Sequence, residues 1–231
     1  MRLTGIHDVT RLDGFETGSW WVQDTAATLP ARLLGDVSGK RVFDLCSAPG
    51  GKTMQLAAAG ANVVSVDISE VRLRRVSDNL TRIGAQAEII CDDLLKWRPS
   101  EKADAILLDA PCSATGTIRR HPDIPWTKSE DDIAGLRALQ MQMIDHAIGL
   151  LKPGGLLVYC VCSLQAREGE EQARAMLNKY QTLERMPIEP HEIGGFDDAI
   201  NRDGDLRTLP SMLSAVGGMD GFFAVRVKLG T

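Results

Sequence analysis

Short hydrophobic runs alternate with longer amphipathic stretches from Lys40 onward. Continuous hydrophobic strands separated by helices are typical of a parallel sheet covered on both faces. We therefore predict one doubly wound α/β domain, in which a break at Lys152–Gly155 closes the longest helix. The predicted strands are Arg41–Cys46, Asn62–Asp67, Glu88–Cys91, Ala103–Asp109 and Leu156–Val161, and the predicted helices are Met54–Ala59, Glu70–Ile83, Asp131–Leu151 and Arg167–Tyr180.

The two ends of the chain add a helix and a strand to this pattern. Residues 1–35 are predicted to form a lead-in segment with a helix over Ala26–Leu34, ahead of a main domain over 36–231. Gly221–Val227 is predicted to be a final strand that pairs with a neighbour near Leu183–Glu189.

The composition is that of an ordinary globular protein, with 44% hydrophobic and 25% charged residues. No hydrophobic run reaches the roughly 18 residues of a membrane-spanning helix, and Met1–Asp8 has no hydrophobic signal core. The five cysteines are odd in number and lie mostly in hydrophobic stretches, which indicates the reducing cytoplasm. His121 and His146 are too scattered to complete a zinc site, so we expect no metal. With no obvious exposed hydrophobic patch, we expect a monomer.

The net charge of −5 argues against strong RNA binding by the chain alone, because phosphate neutralisation supplies most of that affinity. Two local basic runs remain, one over Arg72–Arg82 and one over Arg119–His121. The first is either a solvated helix face or a binding face. The second lies inside a motif of chemical interest, which favours a role in binding.

Ligands of such sheets bind at the carboxyl ends of the strands. The first strand is followed by the glycine-rich turn Cys46–Lys52, which lets the backbone approach a ligand at a helix N-terminus. A phosphate-binding P-loop is excluded because Cys46 stands where that motif needs a glycine. The second strand ends in Asp67, which is placed to accept hydrogen bonds from ribose hydroxyls, while Ser69 is the better candidate to cap the next helix.

Asp92 and Asp93 follow the third strand, where either one could face an adenine amino group or could simply be a cap. A glycine turn, a ribose-binding acid and an adenosine site without phosphates together suggest S-adenosylmethionine as the cofactor.

The fourth and fifth strands end in cysteines, at Asp109–Cys112 and at Cys160–Ser163. A cysteine here indicates chemistry at a ring carbon, because a thiolate that adds to C6 of cytosine makes C5 nucleophilic. Asp109 is placed to hydrogen-bond N3 as charge builds there. A buried cysteine is usually only a small hydrophobic residue. That interpretation suits Cys46, Cys91 and Cys160, whereas Cys112 and Cys162 lie at the ligand crevice.

These segments make the chain resemble the bacterial Sun (RsmB-like) family of RNA cytosine-C5 methyltransferases. The resemblance extends from about Trp21 to Val227. The segments that carry it are Asp44–Thr53, Asp109–Asp123, Tyr159–Ser163 and Gly221–Phe223.

The resemblance implies a Rossmann-like, mostly parallel, seven-stranded sheet of a class I S-adenosylmethionine-dependent methyltransferase, with 36–231 as its catalytic domain. It implies that Cys162 is the nucleophile on C6, that Cys112 assists release of the enzyme, and that Arg119 and Arg120 lie near the RNA backbone. The target cytosine would be extruded into the crevice. The cofactor-binding residues implied are Cys46, Ser47, Ala48, Pro49, Gly50, Gly51, Lys52, Asp67, Asp93 and Asp109.

The sequence departs from the family pattern in three respects. Val161 stands where the family usually has Thr, which would remove a hydroxyl beside the nucleophile, and Ala114 replaces a usual Gly. Family members also commonly carry a longer N-terminal part that helps to bind RNA, so we expect this chain to be an excised or truncated catalytic domain with weak RNA affinity.

Three alternatives stay open. Cys112 could be the nucleophile, as in DNA cytosine methyltransferases, which place theirs in a Pro-Cys motif. The substrate would be ribosomal RNA by default from the family, with transfer RNA second. A non-catalytic role in RNA binding or ribosome assembly would retain the fold alone. A zinc-dependent nucleobase deaminase is excluded, because Thr115 stands where its second cysteine should be.

Overall fold

The computed structural model describes residues 8–231, so the first seven residues of the predicted lead-in segment lie outside the described part. Eight strands form one sheet. They are β1 (Arg41–Leu45), β2 (Asn62–Asp67), β3 (Glu88–Cys91), β4 (Ala103–Asp109), β5 (Leu151–Val161), β6 (Leu183–Arg185), β7 (Leu206–Thr208) and β8 (Phe222–Leu229).

The strand order is β3-β2-β1-β4-β5-β8-β6, and β7 pairs with β8 beside this path. The five strands from β3 to β5 are parallel, whereas β8 runs antiparallel to β5, β6 and β7. The predicted mostly parallel sheet is thus confirmed, with seven strands along its main path and the short β7 as an unpredicted eighth. The predicted pairing of the final strand near Leu183–Glu189 is also confirmed, because β8 pairs with β6.

Five α-helices cover the sheet. They are α1 (Thr25–Arg32), α2 (Gly51–Ala58), α3 (Glu70–Ile83), α4 (Glu130–Gly149) and α5 (Glu170–Lys179). Short 3-10 turns within the described residues occupy Val9–Arg11, Thr115–Thr117, Ile124–Trp126, Pro190–Ile193, Asp197–Ala199 and Ser214–Val216.

Hydrophobic side chains alternate between the two faces of the sheet, as the geometry of a strand requires. Phe43 of β1 belongs to the buried cluster that includes Ile144 of α4 on one face, while its neighbour Val42 belongs to the cluster that includes Leu29 of α1 on the other. Burial on both faces explains why the strands are continuously hydrophobic in the sequence.

The longest strand departs from its predicted bounds. β5 begins at Leu151, directly after α4, and includes the segment Lys152–Gly155 that was predicted as a break. This segment is a bulge: Ala103 is paired with Leu151, but Ala105 is paired with Leu156. Pro153 and Gly154, the latter at φ 76°, account for the irregularity, because neither suits a regular ladder.

The lead-in helix packs on the main core rather than standing apart from it. Leu29, Leu33 and Leu34 are all buried against the α1 face of the sheet. The Asp24 side chain caps α1 and also accepts a hydrogen bond from the backbone N–H of Asp220, at 2.9 Å. This contact joins the start of α1 to the loop that precedes β8.

Candidate active site

Neighbouring parallel strands bring the predicted site residues to one edge of the sheet. Leu45 is aligned with Val66 and with Leu108, and Asp109 is aligned with Cys160. The residues that follow these positions therefore emerge side by side, at the edge where doubly wound sheets bind ligands. All the strand-end residues singled out in the sequence belong to this edge.

The glycine-rich turn after β1 has an unusual backbone. Cys46 has φ 59° and Gly50 has φ 99°, and the Ala48–Pro49 peptide bond is cis. A Cβ atom at Gly50 would lie 3.0 Å from Val76 of α3, so a side chain there would be both strained and crowded. The turn leads into α2, whose first N–H groups have no acceptor within the helix.

Asp67 ends β2 and holds this turn in place. Its two carboxylate oxygens accept hydrogen bonds from the backbone N–H groups of Ala48, at 3.0 Å, and Ser69, at 2.9 Å. The Ser69 side chain caps α3, as predicted, by accepting from the N–H of Arg72 at 3.4 Å. Arg72 in turn donates to the carbonyl oxygen of Ala48.

Asp92 and Asp93 follow β3 and are half-buried. Asp93 accepts a hydrogen bond from the N–H of Leu95 at 3.0 Å and lies 3.4 Å from Lys96 Nζ. Asp92 accepts from the N–H of Asp93 at 2.7 Å. Both aspartates thus take part in local turn hydrogen bonds.

Lys52 joins the glycine-rich turn to the end of β4. Its Nζ donates to Asp109 Oδ2 at 2.8 Å and lies 5.0 Å from the centre of the Phe222 ring. Burial by itself would lower the pKa of Lys52, but the adjacent Asp109 carboxylate outweighs it and holds that pKa above its ordinary value. The ammonium group is therefore kept charged beside Asp109.

Asp44 is a buried acid that the sequence interpretation did not single out. Its side chain is fully buried, and Thr53 Oγ1 donates to its Oδ2 at 2.6 Å. Its Oδ1 is buried and has no hydrogen-bond partner. Burial raises the pKa of Asp44 to about 7, against the opposing hydrogen bond from Thr53 and the charge of Lys52. Its position inside a strand, among hydrophobic neighbours, was the only signal in the sequence.

The two predicted cysteines meet at the centre of the edge. Cys112 Sγ lies 3.5 Å from Cys162 Sγ, and both side chains are half-buried. The hydrogen bond with Cys162 and burial together raise the pKa of Cys112 well above its ordinary value. Cys160, in contrast, is fully buried, and its Sγ points at Asp109 Oδ1, 3.6 Å away.

The other cysteines fit the sequence interpretation only in part. Cys160 is a buried core residue, as predicted, and Cys46 is half-buried. The prediction of a buried Cys91 is wrong, because Cys91 ends the edge strand β3 and is exposed.

The two departures near the cysteines have different structural meanings. Val161 is fully buried in the core on the α4 face, whereas Cys160 and Cys162 pack on the opposite face. The expectation that Val161 removes a hydroxyl beside the nucleophile is therefore wrong, because alternate strand residues point to opposite faces. Ala114 has φ 57°, the left-handed region, which explains why glycine suits this position.

A buried glutamate that the sequence interpretation missed lies directly behind the thiols. The Glu168 side chain accepts hydrogen bonds from Ser113 and Ser163, the residues that follow the two cysteines. Glu168 is fully buried although it lies in a run of charged residues, and that run resembled the exposed start of a helix.

Arg119 and Arg120 are held by carboxylates of the protein itself. Arg119 Nη2 lies 2.8 Å from Asp24 Oδ2 and 3.3 Å from Asp220 Oδ1. Arg120 binds both oxygens of Asp220, with Nη2 at 2.5 Å from Oδ2. The next turn of this loop presents Trp126, whose side chain is 89% exposed.

The described residues offer neither a metal-binding cluster nor a membrane-spanning helix. Among residues 8–231, no group of three or more His, Cys, Asp or Glu side chains is arranged to hold a metal ion. Within the same residues, no helix is both long and hydrophobic enough to cross a membrane.

Comparison with known proteins gives a consistent match. The family model for 16S rRNA methyltransferase RsmB/F matches residues 31–228. Ribosomal RNA small subunit methyltransferase B of Vibrio vulnificus (strain YJ016) is 46% identical over 182 residues, which are 77% of this chain and 43% of that protein. The chain thus spans less than half the length of this relative.

Two solved structures share the fold over nearly the whole chain. The crystal structure of NSun6 from Pyrococcus horikoshii with SFG has a TM-score of 0.85 and 27% identity, and the match covers 98% of this chain and 57% of that one. The methyltransferase homolog protein from Pyrococcus horikoshii has a TM-score of 0.80 and 28% identity, and the match covers 96% of this chain and 72% of that one. The sequence match over residues 31–228 shows that this chain belongs to the 16S rRNA methyltransferase RsmB/F family.

Proposed function

We propose that this chain is the catalytic domain, over 36–231, of an S-adenosylmethionine-dependent RNA cytosine-C5 methyltransferase. The observation that carries the proposal is the thiol pair. Cys112 Sγ and Cys162 Sγ lie 3.5 Å apart at adjacent strand ends, beside the Lys52–Asp109 ion pair. Nucleophilic attack on a ring carbon needs one sulfur and a partner that assists its departure, and this pair provides both.

The residues at the neighbouring strand ends fit S-adenosylmethionine. Asp67 and Asp93 offer carboxylate oxygens for hydroxyl and amino groups, and the turn Cys46–Lys52 offers backbone N–H groups at the start of α2. When bound here, S-adenosylmethionine supplies the methyl group.

Cys162 acts first. Its thiol first loses its proton to solvent, and the thiolate Sγ then bonds to C6 of the cytosine. The electron pair of the C5=C6 bond moves towards N3, which makes C5 nucleophilic. Asp109, in its acid form, donates its proton to N3 as charge builds there. Lys52 Nζ, 2.8 Å from Asp109 Oδ2, then stabilises the carboxylate that remains.

Cys112 acts through its hydrogen bond to Cys162. Because the pKa of Cys112 is raised, this thiol keeps its proton and donates it towards Cys162 Sγ. After methylation, a base takes the proton from C5, the C5–H electron pair restores the C5=C6 bond, and the C6–S bond breaks. A donor beside the departing sulfur stabilises it, so Cys112 favours release.

We infer that RNA lies across the loop that follows Cys112. Trp126 is an exposed aromatic surface on which an unpaired base can stack, and Arg120 lies close by, in the same loop. Arg119 and Arg120 contact the RNA backbone in this proposal, while Asp24 and Asp220 hold their side chains in place. Ribosomal RNA is the proposed substrate, ahead of transfer RNA, and we propose that the protein acts as a monomer in the cytoplasm.

A trapping experiment tests this proposal. The chain is incubated with labelled S-adenosylmethionine and an RNA that contains 5-fluorocytosine, because fluorine at C5 prevents the release step. Wild type, Cys112→Ala and Cys162→Ala are compared on denaturing gels. We expect an RNA adduct with wild type and with Cys112→Ala, and none with Cys162→Ala.

The same experiment decides between the alternatives. An adduct that survives in Cys162→Ala and disappears in Cys112→Ala would make Cys112 the nucleophile. Absence of any adduct, with S-adenosylmethionine bound by calorimetry, would mean that RNA binding needs sequence outside this chain or that the chain is not a cytosine-C5 methyltransferase. Failure to bind S-adenosylmethionine at all would favour a non-catalytic role.

A further inference from the structure

The Glu168 carboxylate is fully buried behind the thiol pair and is surrounded by neutral donors. Its Oε1 accepts from the backbone N–H of Ser113 at 2.9 Å and from Gln140 Nε2 at 3.0 Å. Its Oε2 accepts from Ser113 Oγ at 2.5 Å and from Ser163 Oγ at 2.6 Å. Four donors thus meet two acceptor oxygens, and each catalytic cysteine is followed directly by one of the serines.

The number of hydroxyl protons fixes which serine hydroxyl groups donate hydrogen bonds and which oxygens accept them. Ser113 and Ser163 each have a single hydroxyl proton, which is used towards Glu168, so the 3.0 Å contact between their oxygens is not itself a hydrogen bond. Thr115 Oγ1 accepts from the N–H of Leu164 at 2.9 Å and lies 3.2 Å from Ser163 Oγ, to which it can donate. The hydroxyl groups of the loops after β4 and β5 therefore donate to the Glu168 carboxylate, either directly or, for Thr115, through Ser163.

Other contacts fix the carboxylate itself. Gln140 of α4 bridges Glu168 to the carbonyl oxygen of Pro111, to which it donates at 2.9 Å. The hydroxyl of Tyr159, in β5, donates to the backbone carbonyl of Glu168 at 2.6 Å. Hydrogen bonds from a helix and from the central sheet therefore hold Glu168 at a set distance from both loops. A satisfied buried network of this kind rigidifies its surroundings.

We propose that Glu168 is a positioning residue that fixes the separation of the Cys112 and Cys162 sulfur atoms. It does not touch the cytosine, and it acts by holding Ser113 and Ser163. The Sγ–Sγ distance of 3.5 Å is short enough for one thiol to donate to the other, and a small displacement of either loop would end that contact. The effect on methylation rests on the proposed function, whereas the effect on thiol separation does not.

The first test measures the thiol pair directly, without cofactor or RNA. Diamide oxidises two adjacent thiols to a disulfide, and the rate of the Cys112–Cys162 bond is followed by mass spectrometry. In Glu168→Gln, an amide NH₂ replaces one acceptor oxygen and meets a donor. We expect the disulfide to form at least about fivefold more slowly than in wild type, because misplacing reacting groups by about 1 Å costs up to about a hundredfold in rate.

The matched control is Glu171→Gln, which makes the same chemical change on the same segment. Glu171 lies on α5 with its side chain 44% exposed, 3.9 Å from Arg137, and takes no part in the serine network. Alkylation of the exposed Cys91 by iodoacetamide serves as an internal reference for general thiol reactivity. A Glu168→Gln protein that is folded and forms the disulfide as fast as Glu171→Gln would overturn the proposal.

If Glu168→Gln does not fold, Ser113→Ala and Ser163→Ala give the same decision, since each removes a single donor. We expect both to slow disulfide formation, and unchanged rates in both would overturn the proposal.

The second test uses methylation and separates positioning from a general loss of structure. We expect Glu168→Gln to lower kcat about tenfold or more while the KM for S-adenosylmethionine stays within about twofold, because only the reacting groups are displaced. Equal kcat values for Glu168→Gln and Glu171→Gln would contradict the proposal. If wild type itself methylates no RNA, the proposed function fails, and the disulfide rates still decide the role of Glu168.

Discussion

Burial opposes ionisation of the Asp44 carboxyl group in β1. One of its oxygens accepts a hydrogen bond from Thr53, and the other has no hydrogen-bond partner. A pKa of about 7 in the folded state lies well above the ordinary value of 3.8. The folded protein therefore keeps a proton there that the unfolded chain releases at lower pH. The stabilisation from this proton is complete below about pH 4 and is lost as the pH rises through about 7.

This linkage predicts that the free energies of unfolding of wild type and Asp44→Asn depend differently on pH. Asparagine stays neutral at every pH and can still accept the hydrogen bond from Thr53. The free energy of unfolding of wild type, relative to Asp44→Asn, should fall by on the order of 2 kcal/mol between about pH 5 and about pH 8. Urea unfolding of both proteins at several pH values measures the difference. The exposed Asp198→Asn is the control, and stability curves for wild type and Asp44→Asn that run parallel across this range would disprove the assignment.

At this scale, the sequence predicted which side chains meet at the edge of the sheet but not those that hold them. The positions of Cys112, Cys162 and Asp109 could be predicted because reactive side chains after buried strands are unusual. Glu168 could not, since its burial depends on serines that lie 55 and 5 residues away along the chain. The ion pairs of Arg119 and Arg120 with Asp24 and Asp220 are similarly non-local.

The loop after β4 packs closely against the segment just before β8. The N–H of Gly116 donates to the carbonyl of Cys162 at 3.0 Å, and the N–H of Gly221 donates to the carbonyl of Gly116 at 2.8 Å. A Cβ atom on Gly116 would lie 1.9 Å from the Gly221 oxygen and 2.9 Å from the Cys162 oxygen. Backbone thus packs directly on backbone, and only glycine fits.

Gly116→Ala should therefore destabilise the protein by about 3 kcal/mol or more, because the clash is with backbone atoms that cannot rotate away. The measurement is the urea midpoint, together with S-adenosylmethionine binding. Gly135→Ala is the matched control, since Gly135 lies in α4 with open space around it and should gain up to about 1 kcal/mol from helix propensity. Equal stabilities for the two variants would contradict the packing described.

The elements themselves were largely predictable, because strands buried on both faces leave a strong pattern. β2, β3 and β4 and helix α3 have the predicted bounds. The bulge in β5 was interpreted as a break, since Pro and Gly indicate irregularity without saying whether the ladder resumes. β7 has only three residues and forms because it pairs with β8. A pairing between segments distant in the sequence leaves no local pattern from which to predict it.

The charge of the whole molecule bears on the proposed contact with RNA. The net charge is −5, and Arg119 and Arg120 already have carboxylate partners. Long-range attraction to phosphate is therefore weak, and contacts with unpaired bases gain importance. Trp126 is the largest exposed hydrophobic side chain among the described residues, and it lies on the same loop as the arginines.

We predict that Trp126→Ala weakens binding of a single-stranded, cytosine-containing RNA by about tenfold, because stacking on one base contributes about 1–3 kcal/mol. Fluorescence anisotropy at fixed salt measures this loss, and Trp126→Phe should recover part of it. Stability and S-adenosylmethionine binding should not change. Val216→Ala, at another exposed hydrophobic residue, is the control. Binding by Trp126→Ala as tight as that of wild type would refute a stacking role.

The position of β8 has a consequence for biosynthesis. This strand is the last of the eight in sequence, yet it lies between β5 and β6 and pairs with three other strands. A nascent chain emerges from the ribosome starting with its N-terminal residues. Until Phe222–Leu229 has been made, the long edge of β5 stays unpaired, and such an edge invites pairing with other chains. The loop behind the thiols also lacks its contact with Gly221 until then. A ribosome that stalls before this strand therefore carries a chain that already contains Cys112 and Cys162 but has an open sheet edge, so protection from aggregation matters most until β8 has been made.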